Sequence, residues 1–436
     1  MKAILLDGST ENDRTGERVR AALMAEFQLR GWEVEHFALC EQKIGNCAGD
    51  FFCWIRTPGI CNVNDDNRRI AEALVTSDLL VYLTPITFGG YAATLKRMVD
   101  HQIQNVSPFF TMIEGETHHL KRYKRNPDFL AVGWMTTPDT QSEAIFRHLV
   151  QRNAINFHTQ THVSGVIFAG QSDGEIQTSA QKWLDDLQNG RSSPRVDLPI
   201  SRTANRGAVE VRRAVLLIGS PKTRKSTSNS LGAYLFEQLS AQSIQTETIY
   251  LHTVLRNPQK MQALLDALDA ADLVTLAFPL YVDSLPAPVV EALERISTHR
   301  KGQNRPRRQL FSAIANCGFP EAFQCNTALT NCELFARQTG FSWAGGLALG
   351  AGHMLNGVPL VEGGGMTMHM RQALDLAAKA LAQGQATPQA ARDGLAKPVI
   401  PHWVYRLSGW WRWHQQAKAN GARKLLKHQP YLVNVK

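Results

Sequence analysis

Short apolar runs alternate along the chain with longer segments whose apolar residues recur every three or four positions. The short runs are typical of buried strands, and the longer segments of amphipathic helices. In the N-terminal part, this pattern predicts strands at 2–7, 33–38, 79–84, 129–134 and 162–168, with helices at 16–30, 66–76, 93–104 and 142–156.

The same pattern returns after residue 211. Alternating strands and helices indicate parallel strands joined by right-handed crossovers. Five strands with helices on both faces fit the doubly wound flavodoxin-like order 2-1-3-4-5. The second copy has predicted strands at 213–218, 246–251, 273–278, 309–315 and 342–349, with helices at 228–242, 258–270, 287–299, 322–339 and 366–383.

Matching landmarks support a duplication. A strand leads into Gly8 and again into Gly219, and a later strand leads to Pro85 and again to Pro279. Gly8 and Pro85 are 77 positions apart, whereas Gly219 and Pro279 are 60 apart. The first copy therefore carries about 17 extra residues, in the region of its cysteines. A period near 200 residues indicates tandem domains and not a solenoid. The predicted divisions are two flavodoxin-like domains at 1–184 and 212–385, a linker at 185–211 and a basic, tryptophan-rich tail at 386–436.

Composition narrows the class of protein. The N-terminus lacks the pattern of a signal peptide, and no apolar run is long enough to cross a membrane. Seven cysteines, an odd number, read as reduced thiols, so we expect a cytoplasmic protein. The net charge is +9, and the stretch 394–436 holds eight Lys or Arg and no Asp or Glu. The two domains are therefore nearly neutral, which argues against nucleic acid as a partner.

A hydroxyl-rich loop joins the first strand of the second copy to its first helix. Backbone N–H groups at a helix N-terminus, together with hydroxyl donors, hold phosphate monoesters in proteins. Lys222, Arg224 and Lys225 add positive charge. The alternative is that Ser226 and Ser228 only cap the helix. The candidate phosphate ligands are Ser220, Lys222, Ser226, Ser228, Asn229 and Ser230.

Two further loops would meet the first at the carboxyl edge of the sheet. Prolines fix the backbone of the loop that begins at Pro279, and Tyr281 can stack on an aromatic cofactor. In the next loop Gly318 permits close approach of the backbone, and Cys317 is interpreted as a small buried residue. A plain surface loop is the alternative for the first of these. The candidate ring-binding residues are Pro279, Leu280, Tyr281, Val282, Asp283, Asn316, Cys317, Gly318 and Phe319.

These three loops closely resemble those of the flavodoxin-like NAD(P)H-dependent FMN reductase and quinone reductase family. The resemblance covers about residues 213–383. It implies bound FMN, with NAD(P)H as the co-substrate that transfers hydride to the flavin, and a quinone, flavin, nitro compound or similar small molecule as electron acceptor. No catalytic side chain is assigned, because the flavin does the chemistry. A non-enzymatic FMN-binding electron carrier or adaptor, docking its partner through the basic tail, is the alternative.

The first copy resembles another branch of the same family, through the segments 47–61 and 84–91. Glu11 and Asp13 stand near its phosphate position and would repel an anion, so the prediction of FMN favours the second copy. A further possibility is that one copy has lost its ligand and only scaffolds the other. Its candidate FMN residues are Ser9, Thr15, Pro85, Thr87, Phe88 and Gly89.

The cysteines of the first copy raise the question of a metal. Some relatives carry a four-cysteine motif for an iron–sulfur cluster, but Asp50 stands where a further cysteine is expected, and Cys40 is loosely spaced. No metal is predicted; we interpret Cys47, Cys53 and Cys61 as packing a long loop. His118 and His119, being adjacent, point apart and suggest a contact between domains.

The tail invites three interpretations. Trp403, Leu407, Trp410 and His414 fall on one helical face. Docking on the chain's own domains or on a second subunit is favoured, peripheral contact with the inner face of a membrane comes next, and nucleic-acid binding is third. Family members are commonly dimers, so the resemblance also implies that the two copies form an intrachain pseudo-dimer, with a homodimer as a further possibility.

Overall fold

The computed structural model describes residues 1–199, 209–302 and 308–432. Two compact units divide the chain: a first unit of Met1–Leu198 with Arg406–Lys436, and a second unit of Pro199–Tyr405. Residues 386–405 of the predicted tail therefore cluster with the second unit, and the remainder with the first. Part of the predicted linker, 200–208, lies outside the described residues.

Up to residue 198 the first unit contains eight strands and six helices in its described part. The strands are β1 (Lys2–Asp7), β2 (Glu33–Ala38), β3 (Leu79–Thr87), β4 (Gly90–Tyr91), β5 (Val106–Ile113), β6 (Glu116–Lys121), β7 (Asp128–Met135) and β8 (His162–Phe168). The helices are α1 (Arg14–Leu29), α2 (Phe52–Ile55), α3 (Asn67–Val75), α4 (Ala93–His101), α5 (Thr140–Phe157) and α6 (Asp173–Gln188).

The main sheet of this unit runs in the order β2-β1-β3-β7-β8, with all five strands parallel. Residues on both faces of β1, β3 and β7 are buried, as expected for a parallel sheet covered by helices. The apolar sides of α1 and α6 pack on one face through residues such as Val19, Leu23 and Leu184. The predicted order 2-1-3-4-5 is confirmed for this copy.

The second unit begins with β9 (Arg213–Ile218) and has five parallel strands in the order β10-β9-β11-β12-β13, which confirms the same topology. The other strands are β10 (Gln245–Tyr250), β11 (Leu273–Pro279), β12 (Leu310–Asn316) and β13 (Ser342–Leu349). The helices are α7 (Thr227–Ser240), α8 (Leu251–Val254), α9 (Pro258–Ala270), α10 (Ala287–Arg300), α11 (Asn326–Gln338), α12 (Met368–Ala382) and α13 (Gln389–Ala396).

A hairpin in the first unit was not predicted. β5 and β6 pair antiparallel outside the main sheet, joined by Glu114 and Gly115, both with positive φ. No strand was predicted between 104 and 129, because Ser107, Pro108 and Gly115 interrupt any regular apolar pattern there. The helix α6, which runs to Gln188 and so continues beyond the predicted domain boundary at 184, was also missed.

The last long helix, α14 (His402–Ala419), is followed by two short 3-10 turns. Its residues to Tyr405 belong to the second unit, and those from Arg406 to the first. Within the first unit, Gly409, Trp413 and Ala417 lie on the packed side: Trp413 contacts Trp54 edge-on at 5.2 Å between ring centroids. The docked face is therefore not the face of Leu407 and Trp410, which are 63% and 50% exposed.

Candidate functional site

Three loops of the second unit meet at the carboxyl ends of β9, β11 and β12. Asn316, the last residue of β12, connects them: its side-chain amide donates to Ser228 Oγ at 2.8 Å and to the carbonyl of Phe278 at 3.0 Å. Its own carbonyl accepts from the N–H of Leu280 at 2.7 Å. The structure thus brings candidate residues from all three loops together around one buried asparagine.

The hydroxyl loop is organised by its serines. Ser226 caps α7: its Oγ accepts from the N–H of Asn229 at 3.1 Å and donates to the carbonyl of Thr223 at 2.6 Å. Ser220 Oγ accepts from the N–H of Lys222 at 3.4 Å. Capping thus explains Ser226 but not Ser228, whose hydroxyl accepts from Asn316. The first N–H groups of α7 have no intrahelical acceptor and point toward this loop.

Positive charge surrounds the same helix end. Lys222, Arg224 and Lys225 are exposed, and the segment 219–230 contains no carboxylate. The guanidinium of Arg224 lies 6.0 Å from the ring centroid of Tyr250, whose hydroxyl donates to Asn229 Oδ1 at 2.9 Å. The loop therefore combines N–H groups, hydroxyls and cations, which are the groups that a phosphate dianion prefers.

The loop after β11 forms a tight turn in which Tyr281 and Ser284 pair. Val282 has φ 44° and Asp283 φ 60°, in the left-handed region. A β-branched residue is rarely found there, and such strain persists mainly at functional sites. This turn supports the placement of a site here on grounds independent of the hydroxyl loop.

The third loop follows β12. Cys317 is buried, and its thiol donates to the carbonyls of Phe319 at 3.3 Å and Glu321 at 3.5 Å. Gly318 is exposed, and a Cβ added to it would meet no heavy atom within 4 Å. The loop thus has an open stretch of backbone at Gly318, next to a thiol whose hydrogen bonds hold the loop itself in shape.

Sequence reasoning missed the residues that seat this third loop. Tyr405 is 1% exposed; its hydroxyl donates to the carbonyl of Gly318 and lies 2.9 Å from His353 Nδ1. His402 Nδ1 lies 3.5 Å from Glu321 Oε1. Because Tyr405 and Gly318 are 87 residues apart, no local pattern connects them. The only signal was a tyrosine within a tryptophan-rich segment.

The first unit has matching positions. Gly8 N–H donates to Leu83 as Gly219 N–H donates to Ala277, both at 2.8 Å. Pro85 pairs with Trp134 where Pro279 pairs with Asn316. Phe88 and Gly89, with φ 51° and 74°, form the counterpart of the Val282–Asp283 turn. The structure therefore places Ser9, Thr15, Pro85, Thr87, Phe88 and Gly89 around the equivalent edge.

Chemistry differs at this second edge. Asp13, and not serine, caps α1: one carboxylate oxygen accepts from the N–H of Gly16 at 3.0 Å and the other from Trp134 Nε1 at 2.9 Å. A Cβ on Gly16 would lie 2.8 Å from the Trp134 ring, so the indole closes tightly over the helix end. The chain's own carboxylate and indole fill the place where the second unit has hydroxyls.

A second carboxylate lies close by. Burial would raise the pKa of Asp7, but hydrogen bonds from His36, Ser9 and Arg20 outweigh it and hold the pKa at about 2. Arg20 Nη1 is 2.7 Å from Asp7 Oδ2. Asp7 is therefore a fixed negative charge at the end of β1, which further disfavours an anionic ligand in the first unit.

The cysteine loop packs on aromatic rings. Trp54 is 1% exposed, donates to the carbonyls of Ile103 and Val106, and stacks on Phe51 at 5.2 Å between centroids. Burial raises the pKa of Cys47 to about 12 and that of Cys53 well above its usual value. In the described part of the chain, no group of three or more His, Cys, Asp or Glu side chains is placed to hold a metal ion.

The adjacent histidines lie inside the first unit. His118 Nδ1 is 2.8 Å from Asn156 Oδ1, and His119 packs on Trp54 at 4.6 Å between ring centroids. Burial lowers the pKa of His119 to about 3, so its ring is neutral. His118 is buried and His119 half-buried inside this unit, and their role in a contact between domains stays a prediction.

A cavity of about 500 Å³ lies in the first unit, away from these loops. The β5–β6 hairpin and the last residues of the chain line it, with apolar side chains inside and lysines among its borders. Its lining includes Phe109, Ile113, Leu120, Lys121, Leu426 and Lys427.

Comparison with known proteins identifies relatives. A family model described as NADPH-dependent FMN reductase matches residues 1–111 and 212–319, together half of the chain. An iron–sulfur flavoprotein of Methanocaldococcus jannaschii is 32% identical over 101 residues, which is 23% of this chain and 51% of that protein. One of Archaeoglobus fulgidus is 25% identical over 103 residues, 24% of this chain and 46% of that protein. The chain thus spans about half the length of these curated relatives.

Solved structures give weaker likenesses. An NAD(P)H:quinone oxidoreductase of Methanothermobacter marburgensis has a TM-score of 0.30 at 17% identity, covering 37% of this chain and 94% of the other. An FMN-dependent NADH-azoreductase of Bacillus anthracis, solved with FMN, has a TM-score of 0.29 at 12% identity, covering 39% and 99%. Among the described helices of the present chain, none has the length and apolar character needed to cross a bilayer.

Proposed function

Because the chain belongs to the NADPH-dependent FMN reductase family, in two tandem copies, we propose that its second unit holds one FMN and catalyses NAD(P)H oxidation. FMN is the cofactor of this family and NAD(P)H its co-substrate. A small molecule such as a quinone, a free flavin or a nitro compound is the proposed electron acceptor. The hydroxyl loop at the N-terminus of α7 is the observation that carries the placement in the second unit.

The residues present fit a mononucleotide. Hydroxyls of Ser220 and Ser228, with the N–H groups of the α7 terminus that Ser226 caps, would hold the phosphate, and Lys222 would balance its charge. The turn from Tyr281 to Asp283 and the open backbone at Gly318 would flank the ring. When bound, FMN supplies the hydride acceptor and the electron relay, while the chain binds, orients and sets polarity.

We propose that the first unit does not bind FMN. A phosphate at the α1 terminus would have to displace the Asp13 carboxylate and the Trp134 indole, and would face the charge of Asp7. A phosphate bound beside these carboxylates would be repelled by their negative charge. One copy then serves catalysis, and the other serves as a scaffold.

An iron–sulfur cluster, after which the two archaeal flavoproteins are named, does not fit this first unit. Clusters take four thiolates. Here Asp50 accepts from the N–H of Phe52 at 3.0 Å within the cysteine loop, and Cys61 Sγ lies 3.5 Å from His101 Nδ1. Cys53 packs with Trp54 and Ile55, and burial raises the pKa of both Cys47 and Cys53, which favours their protonated form.

Flavin counting with matched variants tests the proposal. The reconstituted chain should bind one FMN per chain, and Ser220→Ala with Ser228→Ala should weaken that binding at least ten-fold, because two hydroxyl donors are lost. The matched change in the first unit, Ser9→Ala with Thr15→Ala, should leave affinity unchanged. Two flavins per chain, or equal effects of both pairs, would contradict the assignment.

Turnover is tested separately. The FMN-loaded chain should oxidise NADPH or NADH steadily when a quinone or free FMN is supplied. Tight FMN binding with no such oxidation would instead favour an electron carrier. The pairing of the two copies as an intrachain pseudo-dimer stays a prediction, which cross-linking combined with mass spectrometry of the loaded chain would test.

A further inference from the structure

One face of α14 carries large apolar side chains that are at least half exposed. Leu407, Trp410 and Trp411 are 63%, 50% and 62% exposed, and with His414 they form what we call the aromatic face. A neighbouring side of the helix, with Gly409, Trp413 and Ala417, is the docked one. Clusters of exposed aromatic residues usually mark an interaction surface.

Charge around the aromatic face has one sign. From Arg406 to the end of the chain there is no Asp or Glu. Lys418, at the end of α14, and Arg423, Lys424 and Lys427, just beyond it, are all exposed. A partner of this surface must therefore accept both apolar side chains and a concentration of positive charge.

The cavity of the first unit adjoins this face. Phe109, which lines the cavity, packs on His414 at 5.1 Å between ring centroids, and His414 contacts Trp410 at 4.0 Å. Lys121 and Lys427, both exposed, belong to the cavity lining, together with apolar Ile113 and Leu426. An apolar recess with cations beside it suits a molecule that has an anionic head and an apolar chain.

We propose that the aromatic face docks on the surface of an anionic phospholipid bilayer. Tryptophan favours the boundary between headgroups and acyl chains, and basic side chains are attracted to the negative surface potential of such a membrane. A helix lying in the interface plane, with its exposed apolar side buried at the headgroup boundary, meets both requirements. This proposal is independent of flavin binding.

Vesicle flotation of the full, FMN-loaded chain tests this. We expect binding to vesicles of phosphatidylcholine with phosphatidylglycerol, little binding to phosphatidylcholine alone, and loss of binding at high salt. Trp410→Ser with Trp411→Ser should lower the partition coefficient at least ten-fold. Lys424→Gln and Lys427→Gln should each lower it about five-fold. NAD(P)H oxidation without vesicles should stay unchanged in all of them.

Controls match each class of change. Leu29→Ser removes another exposed leucine of the first unit, 78% exposed, and Lys182→Gln another exposed lysine, so both should bind vesicles like the unaltered chain. Equal binding to neutral and anionic vesicles would overturn the proposal. So would light scattering that shows a dimer which the two tryptophan changes dissociate, since a second copy would then cover the face.

Discussion

At the scale of single residues, the two copies differ at the position that caps the first helix. The residue that caps the first helix is Ser226 in the second unit and Asp13 in the first. A capping serine places no charge beside a phosphate, whereas a capping carboxylate repels it. A second difference lies near the end of the fourth strand of each sheet. Asn316 there joins two loops through Ser228, whereas Trp134 donates to the capping Asp13 and covers the end of α1.

Asp7 gives the first unit a dependence on pH. Its pKa of about 2 in the folded state is below the ordinary 3.8, so its contribution to stability is present above pH 4 and is lost as pH falls toward 2. Asp7→Asn should lower the free energy of unfolding by about 2 kcal/mol at pH 7 and by almost nothing at pH 2. Urea denaturation across this range measures it.

Asp173→Asn is the matched control, because that carboxylate is 86% exposed and pairs with Arg18 at the surface. It should change stability by less than about 0.5 kcal/mol at any pH. An Asp7→Asn chain as stable as the unaltered one at pH 7 would show that Arg20 and His36 do not stabilise the carboxylate.

At the scale of elements, α14 packs on the first unit with one side and exposes another side to solvent. Trp413 packs edge-on against Trp54 and Phe51, whereas Trp411 points to solvent. Nearby, the buried Arg122 donates to the carbonyls of Leu426 and His428, which fixes the chain after the helix. The end of the chain is therefore part of the first unit's structure, while one face of its helix remains open.

Two tryptophans of α14 should respond oppositely to truncation. Trp413→Ala removes two aromatic contacts and should destabilise the first unit by about 2 kcal/mol or more. Trp411→Ala should change stability by less than about 0.5 kcal/mol. Hydrogen exchange of peptides from α2 and α14 would measure this; equal protection in both variants would contradict the packing.

Tyr405 should matter for flavin retention. Tyr405→Phe removes the hydroxyl that holds Gly318 and meets His353. A hydrogen bond of this kind is worth about 1 kcal/mol, so FMN should dissociate about five-fold faster. Stopped-flow fluorescence of released FMN measures the rate, with Trp403→Phe, on the exposed side of the same helix, as the control.

Strand order and most elements could be predicted from the sequence, because buried strands and amphipathic helices have distinct periods. The exact bounds of β1, β2, β8, β9 and β13 were obtained in this way. The β5–β6 hairpin was not, since its pairing depends on a turn with no apolar period around it. Nor was the contact of Tyr405 with Gly318, which only the tertiary fold creates.

Candidate residues of the site came from motif spacing, which fixes the loop that a residue occupies but not its partners. The motif singled out Asn316, yet its amide bridge to Ser228 depends on a distance across the sheet. Likewise, Asp13 was visible as an unfavourable charge, but its bond to Trp134 depends on the register of β3 with β7.

At the scale of the whole molecule, the duplication yields two units with different needs. If the second unit alone takes FMN, thermal unfolding should show two transitions, of which added FMN raises only one. At a hundred times the dissociation constant the gain is about 2.7 kcal/mol. Differential scanning calorimetry with and without FMN measures it, and a parallel shift of both transitions would contradict independent filling.

The Asp13–Trp134 contact also affects how each unit depends on the supply of a cofactor. The Asp13 and Trp134 side chains that fill the end of α1 are part of every newly synthesised chain, whereas FMN, which is made from a vitamin, must bind after synthesis. If the second unit alone takes FMN, cells starved of riboflavin should accumulate molecules whose first unit is complete and whose second unit lacks its ligand, and proteolysis of such molecules should begin in the second unit.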